Sequence, residues 1–326
     1  MTAFYYMKNR IISIDILKVF ATFFVLNSHM EICYHPYEFF ATGGAIGDAL
    51  FFFCSGFTLL LGRQASFPNF YKRRVSRIFP SLFVVALWEE LRTGALQSLA
   101  NLLFSGGWFV SCILIYYIPL FFVKRYGLLH LKVVFVCTFL ANILCYYFFF
   151  DNQNTFSLYG ENYYKWCFFF LFMLLGGIVG YYHEKVHSEK SDILKLLGCV
   201  VGWYSFFFFS SYSSFFIEFQ YLSLFLLLGI TYYFYKMCCM SFWEKLYKHK
   251  IWGVVLFVVG SICLESYLIQ GVLFTDELNH IFPMNIPIIM LYVLMMSYVV
   301  KVFSNIFMQT FMEENYNWKK VFLLTK

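Results

Sequence analysis

Apolar windows of about 20 residues, the length a helix needs to cross a hydrocarbon core, recur ten times along this chain. They lie at 14–30, 45–61, 78–91, 108–123, 133–150, 166–182, 194–210, 217–235, 252–272 and 286–307. Composition agrees with that reading: only 13% of the 326 residues are charged and 61% are hydrophobic, against about 25% charged in an ordinary soluble domain. So little polar surface cannot cover a water-soluble fold. The same figures exclude disordered, collagen-like and small disulfide-rich classes. The expectation is an all-α integral membrane protein, a bundle of about ten transmembrane helices.

Loop charge gives an independent test. With the N-terminus in the cytoplasm, all but three of the 24 Lys and Arg residues fall in inner segments. Only Arg92 and Lys165 lie outside, and Lys18 lies within a span. The positive-inside rule then holds at every turn. The third window is the weakest, interrupted by Glu89, Glu90 and Arg92, but deleting it would invert every later loop. The predicted orientation is N-in and C-in. The first window follows a basic start, yet no small-residue cleavage site follows it and Asp15 and Lys18 interrupt it, so it reads as a retained helix. The longest outer loops, around 31–44, 89–107 and 151–165, are too short to fold alone, so residues 1–326 read as one transmembrane domain with no separate soluble domain. The net charge of +6 is accounted for by the membrane, and no nucleic-acid partner is expected. The ten cysteines sit mostly in apolar stretches as small hydrophobes. No paired CxxC with His partners occurs, so neither a metal site nor disulfides are expected.

Ionisable residues inside a span are costly and face a polar interior, and the first window holds Asp15, Lys18 and His29. At about 100° per residue, Lys18 and His29 come within about 20° of each other, and Asp15 stands about 60° from Lys18. One helix face therefore carries all three, with Asp15 and Lys18 spaced for an i,i+3 ion pair. Lys18 and His29 are separated by roughly 16 Å along the axis. Two readings follow. Lys18 snorkels to the inner interface while His29 ends the span, or the face lines a substrate path with His29 as its one group titrating near neutrality.

The segment IDILKVFATFFVLNSH (14–29) resembles the opening helix of the membrane-bound acyltransferase family 3, which carries an Asp, a basic residue and, after ten more residues, a His. Lys18 stands where the family usually has Arg, which keeps the charge but loses bidentate anion recognition. GDALFFFCSGF (47–57) resembles the family's acidic residue and FF-x-x-SGF signature. FYKRRVSRIFP (70–80) is similar to its Arg-x-x-Arg followed by Ile and Pro, and GGWFVSCILIYY (106–117) to its Trp-Phe helix with a downstream Tyr. GSICLESYLIQGVLF (260–274) resembles a Ser-Leu-Glu-x-Tyr-Leu-x-His segment, with Cys263 for the Ser and Gln270 for the His. The motifs run in order from residue 10 to about 300.

The resemblance implies acyl transfer from a thioester to a hydroxyl, which needs a base for the acceptor, polarisation of the carbonyl and exclusion of water. His29 is the implied base or covalent acyl carrier, with Lys18 and Asp15 beside it. The implied donor is acetyl-coenzyme A or another acyl-coenzyme A, used as a substrate, with no permanently bound cofactor. Arg73, Arg74 and Arg77, expected between the second and third spans, offer guanidinium forks for its phosphates; the same run also satisfies the positive-inside rule by itself. Ser55, Trp108 and Tyr116 are further donor-binding candidates, and Glu265, Tyr267 and Gln270 are candidate cavity-lining residues. Gly56 either admits a thioester or packs helices closely. His35, His183, His187, His249 and His280 read as solvated loop residues, and the Phe206–Phe209 run as lipid-facing bulk. The expected protein is a multi-pass O-acetyltransferase of the cytoplasmic membrane, in contact with membrane lipid and acting on a surface polysaccharide or its lipid-linked precursor. A transporter or flippase of lipid-linked sugars is the alternative, with Asp15, Lys18 and Glu265 as its polar path. Such a protein would show inverted repeats, and none is visible. A glycan polymerase would want a large external catalytic loop, which the sequence lacks.

Overall fold

The computed structural model of the chain describes residues 11–94, 107–150, 157–160, 162–311 and 315–324. Among these residues every regular element is helical. The loop readings for residues 95–106 and 151–156, and the charges at Lys8, Arg10 and Lys326, lie outside the described residues.

The principal helices are α1 (Ile12–Ser28), α2 (Gly44–Leu61), α3 (Phe67–Thr93), α4 (Gly107–Phe122), α5 (Leu131–Phe149) and α6 (Phe170–Tyr181). They continue with α7 (Ser191–Ser210), α8 (Ser223–Cys238), α9 (Ser241–Lys248), α10 (Trp252–Ser261), α11 (Cys263–Leu273) and α12 (Asn285–Thr310). Each of the ten apolar windows falls on one of these helices, or, for 252–272, on the pair α10 and α11. Five stretches are long and apolar enough to cross a membrane: Glu38–Leu61, Gly107–Phe148, Ser191–Ser210, Gln220–Cys238 and Asn285–Thr310. The pair α10 and α11, bent by 75° at its break, makes a sixth if counted as one broken span. The described residues are thus those of a multi-pass, all-helical membrane protein. Helix α1 is 17 residues long, α6 is 12, and α3 carries a run of basic side chains, so none of these three meets the same standard of length and apolarity.

Helix α3 departs most from the sequence reading. It starts at Phe67, eleven residues before the third window, so Lys72, Arg73, Arg74 and Arg77 project from a helix rather than a loop. Local chemistry explains its ends. Pro68 sits in the first turn, where its missing N–H costs nothing. At the other end Gly94 adopts φ +70° and donates its N–H to the Glu90 carbonyl at 2.8 Å, a left-handed stop that glycine adopts without strain.

The tightest packing is between α2 and α6. A Cβ on Gly56 would collide with the Met173 backbone carbonyl, and one on Gly176 with the Phe53 carbonyl. The two helices therefore approach backbone to backbone, the arrangement small residues permit in membranes, where burial from water drives nothing. Helix α1 lies between α2 and α10. A Cβ on Gly47 would stand 2.9 Å from the Ala21 carbonyl oxygen, and one on Gly260 would stand 3.0 Å from that of Asp15. Around these contacts Phe52, Phe53, Phe57, Phe168, Phe169 and Phe172 form a fully buried aromatic core. In the 206–209 run, Phe208 and Phe209 are exposed, whereas Phe207 packs edge-on against the Trp203 ring with centroids 4.7 Å apart.

Candidate functional site

A cavity of about 170 Å³ opens among α1, α2, α3, α4, α11 and α12. Its polar wall is assembled from distant parts of the chain: Lys18 from α1, Ser55 from α2, Arg74 and Arg77 from α3, Glu265 from α11 and Lys301 from α12. Phe109, Val110, Ile113 and Tyr117 supply an apolar side from α4, and the bend between α10 and α11 puts Gly260, Ser261 and Cys263 in the wall. Four cationic side chains thus meet one carboxylate in a small volume. An anionic ligand with a narrow, mixed polar and apolar portion suits such a wall.

Lys18 is held by the predicted pair: its Nζ lies 3.5 Å from Asp15 Oδ1. Asp15 is buried, and its Oδ2 accepts a 2.9 Å hydrogen bond from the Tyr247 hydroxyl on the short amphipathic helix α9. Asp15 itself stands outside the cavity wall, so in this geometry it positions Lys18 and docks α9 onto α1. Tyr247 has no apolar periodicity or family motif to mark it, and sequence reasoning missed it.

The arginines divide. Arg74, half-buried, and Arg77, exposed, line the cavity, whereas Arg73, also exposed, lies outside its wall and donates from Nε to the Asn69 carbonyl at 3.0 Å on its own helix. Arg74 packs its guanidinium over the Phe70 ring at 5.4 Å, and its buried Nε has no hydrogen-bond partner. Lys124, read from the sequence as a loop charge, is buried. It donates to the Leu59 carbonyl at 2.7 Å and to those of Gly62 and Arg63, so it caps the end of α2.

Glu265 does not stand alone. Its Oε1 accepts from the Ser81 hydroxyl at 2.7 Å and from Lys301 Nζ at 2.9 Å, and Ser304 Oγ lies 3.1 Å from Ser81 Oγ, which is free to accept from it. This network ties α3, α11 and α12 together. Lys301 was read from the sequence as part of an inner loop, but it lies well inside α12 and reaches the cavity. The positive-inside count assigns each lysine to a loop by position along the chain and has no signal for a lysine turned inward to meet a carboxylate.

Tyr267 lines the cavity, while Trp108, Tyr116 and Gln270 stand outside its wall. The Tyr116 hydroxyl is committed to the Trp166 carbonyl at 2.9 Å, and the neighbouring Tyr117 faces the cavity instead. Trp108 packs against Phe169 with centroids 5.4 Å apart and carries Lys165 Nζ over its ring at 4.4 Å. Lys165, expected in an outer loop, is buried there. Gln270 is buried, with its Oε1 lacking a hydrogen-bond partner.

His29 sits at the other end of α1, as the residue that closes the helix, and its side chain is exposed. The segment that follows is pinned by three asparagines. Asn27 donates to the carbonyls of Phe40 at 2.8 Å and Thr42 at 3.0 Å and accepts from Tyr34; Asn279 donates to Ile32 O at 2.9 Å, and Asn285 to Cys33 O at 2.7 Å. These bonds tie the segment after α1 into a collar at that end of the helix, where the His29 side chain is exposed. His35, by contrast, is exposed and paired with Glu38 at 2.6 Å.

A bundle of apolar helices, with a cavity rich in basic side chains meeting α1 at Lys18 and a histidine closing the same helix, describes a polytopic membrane protein with a polar interior. Comparison with known families makes that more specific. The model of the acyltransferase domain of acyltransferase family 3 matches residues 11–302, and the chain belongs to this family. Neither the curated proteins nor the solved structures contain a match.

Proposed function

We propose that this chain is an integral-membrane O-acyltransferase that moves an acetyl or other acyl group from cytoplasmic acyl-coenzyme A to a hydroxyl of a cell-surface or lipid-linked glycan. In this reading it spans the cytoplasmic membrane ten times with both termini inside, as the loop charge suggests. The observation that carries it is the placement of Lys18, Arg74 and Arg77 around one cavity, where Lys301 is paired with Glu265, and which meets α1 roughly 16 Å along its axis from His29. A polyanionic donor enters at the basic end and the acceptor approaches the exposed imidazole.

The chemistry follows. Arg74 and Arg77 take the donor's phosphates as charge-assisted hydrogen bonds. Ser55 and Lys18 lie deeper along α2 and α1, where the thin arm of the donor passes toward the thioester. His29 accepts the proton of the acceptor hydroxyl as its oxygen attacks the thioester carbonyl; the C–O ester bond forms, the C–S bond breaks and the thiolate leaves, taking up a proton. Asp15 holds Lys18, and Phe109 and Tyr117 supply the wall of the path from α4.

The division among the arginines provides the test. Arg77→Ala is expected to raise the KM for acetyl-coenzyme A by roughly ten- to a hundredfold, the worth of a charged hydrogen bond. Arg73→Ala, which removes an exposed side chain bonded to its own helix, is expected to change it by less than about fivefold. The check is steady-state release of free coenzyme A by purified protein in lipid discs. Equal effects at both positions would contradict the assignment of the phosphate site.

A further inference from the structure

Two side chains of the cavity wall each carry a buried polar atom that has no hydrogen-bond partner among the described residues, and the two atoms have opposite character. Glu265 is fully buried, with Oε1 committed to Ser81 and Lys301, while its Oε2 accepts from nothing. Arg74 Nε, a donor, is buried and likewise unpaired. A buried polar group left unpaired costs on the order of 1–3 kcal/mol, so both atoms mark places where a ligand is expected to supply the missing partner. Phosphate answers only the arginine, because it has no hydrogen to give Glu265 and would be repelled by it. A hydrocarbon chain answers neither. A secondary amide answers both, because its N–H donates and its C=O accepts.

We infer that the Glu265 carboxylate is the recognition site for an amide N–H of the donor's pantetheine arm. Lys301 and Ser81 act as positioning residues that hold one carboxylate oxygen so the other is presented to the ligand. The inference rests on the acyl-coenzyme A reading above and extends it to the part of the donor that neither phosphate nor acyl group describes. It also accounts for a carboxylate in a wall otherwise suited to anions. Glu265 offsets the charge of Lys301 and breaks the cationic surface where the donor turns from its charged head to its neutral arm.

The test separates head from arm by direct binding to the full-length protein in lipid discs, using coenzyme A, pantetheine and adenosine 3′,5′-bisphosphate. Glu265→Gln and the charge-conserving double variant Glu265→Gln with Lys301→Met are compared with wild type. The double variant removes the buried pair as a unit, which cores tolerate better than the loss of one partner. Expected are roughly ten- to hundredfold weaker binding of coenzyme A and pantetheine in the double variant, with binding of the bisphosphate within about threefold of wild type. That retained binding also shows that the variant is folded. Unchanged coenzyme A and pantetheine binding would overturn the inference, as would an equal loss of all three ligands, which would make the pair structural only. Wild type that binds neither coenzyme A nor the bisphosphate would overturn the acyl-coenzyme A reading itself, a result distinct from the other two.

Discussion

His29→Ala is expected to lower acetyl transfer by about 10²- to 10⁴-fold, the range that a positioned general base contributes, while leaving the affinity for acetyl-coenzyme A within about threefold. The reason is separation. His29 closes α1 at the end remote from the cavity, roughly 16 Å along the axis from Lys18, so removing its imidazole touches none of the cationic side chains that would bind the donor. Its surroundings are held by Asn27, Asn279 and Asn285, whose hydrogen bonds do not involve the His29 ring. The collar should therefore survive the substitution. Turnover and donor binding, measured on the same preparation, give the check. A variant that binds poorly and turns over in proportion would place His29 in donor binding instead.

Gly56→Leu is expected to cause a comparably large loss for an unrelated reason. Even a methyl group at Gly56 would collide with the Met173 carbonyl, and a backbone carbonyl cannot rotate away as a side-chain tip can. Helices α2 and α6 would have to separate, undoing the reciprocal contact at Gly176 and loosening the aromatic core around Phe53 and Phe172. Overpacking of this kind costs about 1–3 kcal/mol when side chains give way, and more is expected where backbone meets backbone. The outcome is little or no monodisperse protein after detergent extraction. Gly198→Ala is the matched control, since a Cβ there meets nothing within 4 Å. It should leave the melting temperature unchanged or raised, as the gain in helix propensity is up to about 1 kcal/mol. A well-folded but inactive Gly56→Leu protein would mean that the glycine serves the thioester path rather than helix packing.

The all-helical, multi-pass character was legible because the apolar windows are dictated by what a bilayer demands of a backbone, and each window lies on a helix, although five or six stretches rather than ten are long and apolar enough to span. Legibility failed where polar side chains act against their positional average. Arg74 and Arg77 belong to a helix that begins eleven residues earlier than hydropathy indicates, because their long apolar stems and guanidinium groups tolerate an interface that a hydropathy window scores as loop. Lys124, Lys165 and Lys301 were assigned to loops by charge counting, yet each is turned inward, onto helix-end carbonyls, an indole face or a carboxylate. Such partners come from residues 36 to 65 positions away, and a single sequence carries no trace of them. The motifs located the cavity better than their individual residues. The Trp-Phe segment does reach it, but through Phe109 and Tyr117 rather than Trp108 and Tyr116. The Asp15–Lys18 pair was readable because i,i+3 geometry is local; the bond from Tyr247 to Asp15, spanning 232 residues, was not.

In the proposed function an acyl group passes from a donor bound beside Arg74 and Arg77 to a hydroxyl acceptor reached at the His29 end of α1. The most direct measurement uses sealed membrane vesicles of known orientation containing wild type or His29→Ala, with acetyl-labelled coenzyme A supplied only to the face bearing the Arg74–Arg77 end. Free coenzyme A and label in the glycan fraction are followed together. Stoichiometric release of coenzyme A and appearance of label on glycan at the opposite face are expected, both lost in His29→Ala. Glycan moving across the membrane with no thioester consumed, in vesicles holding folded protein, would contradict acyl transfer and point to transport.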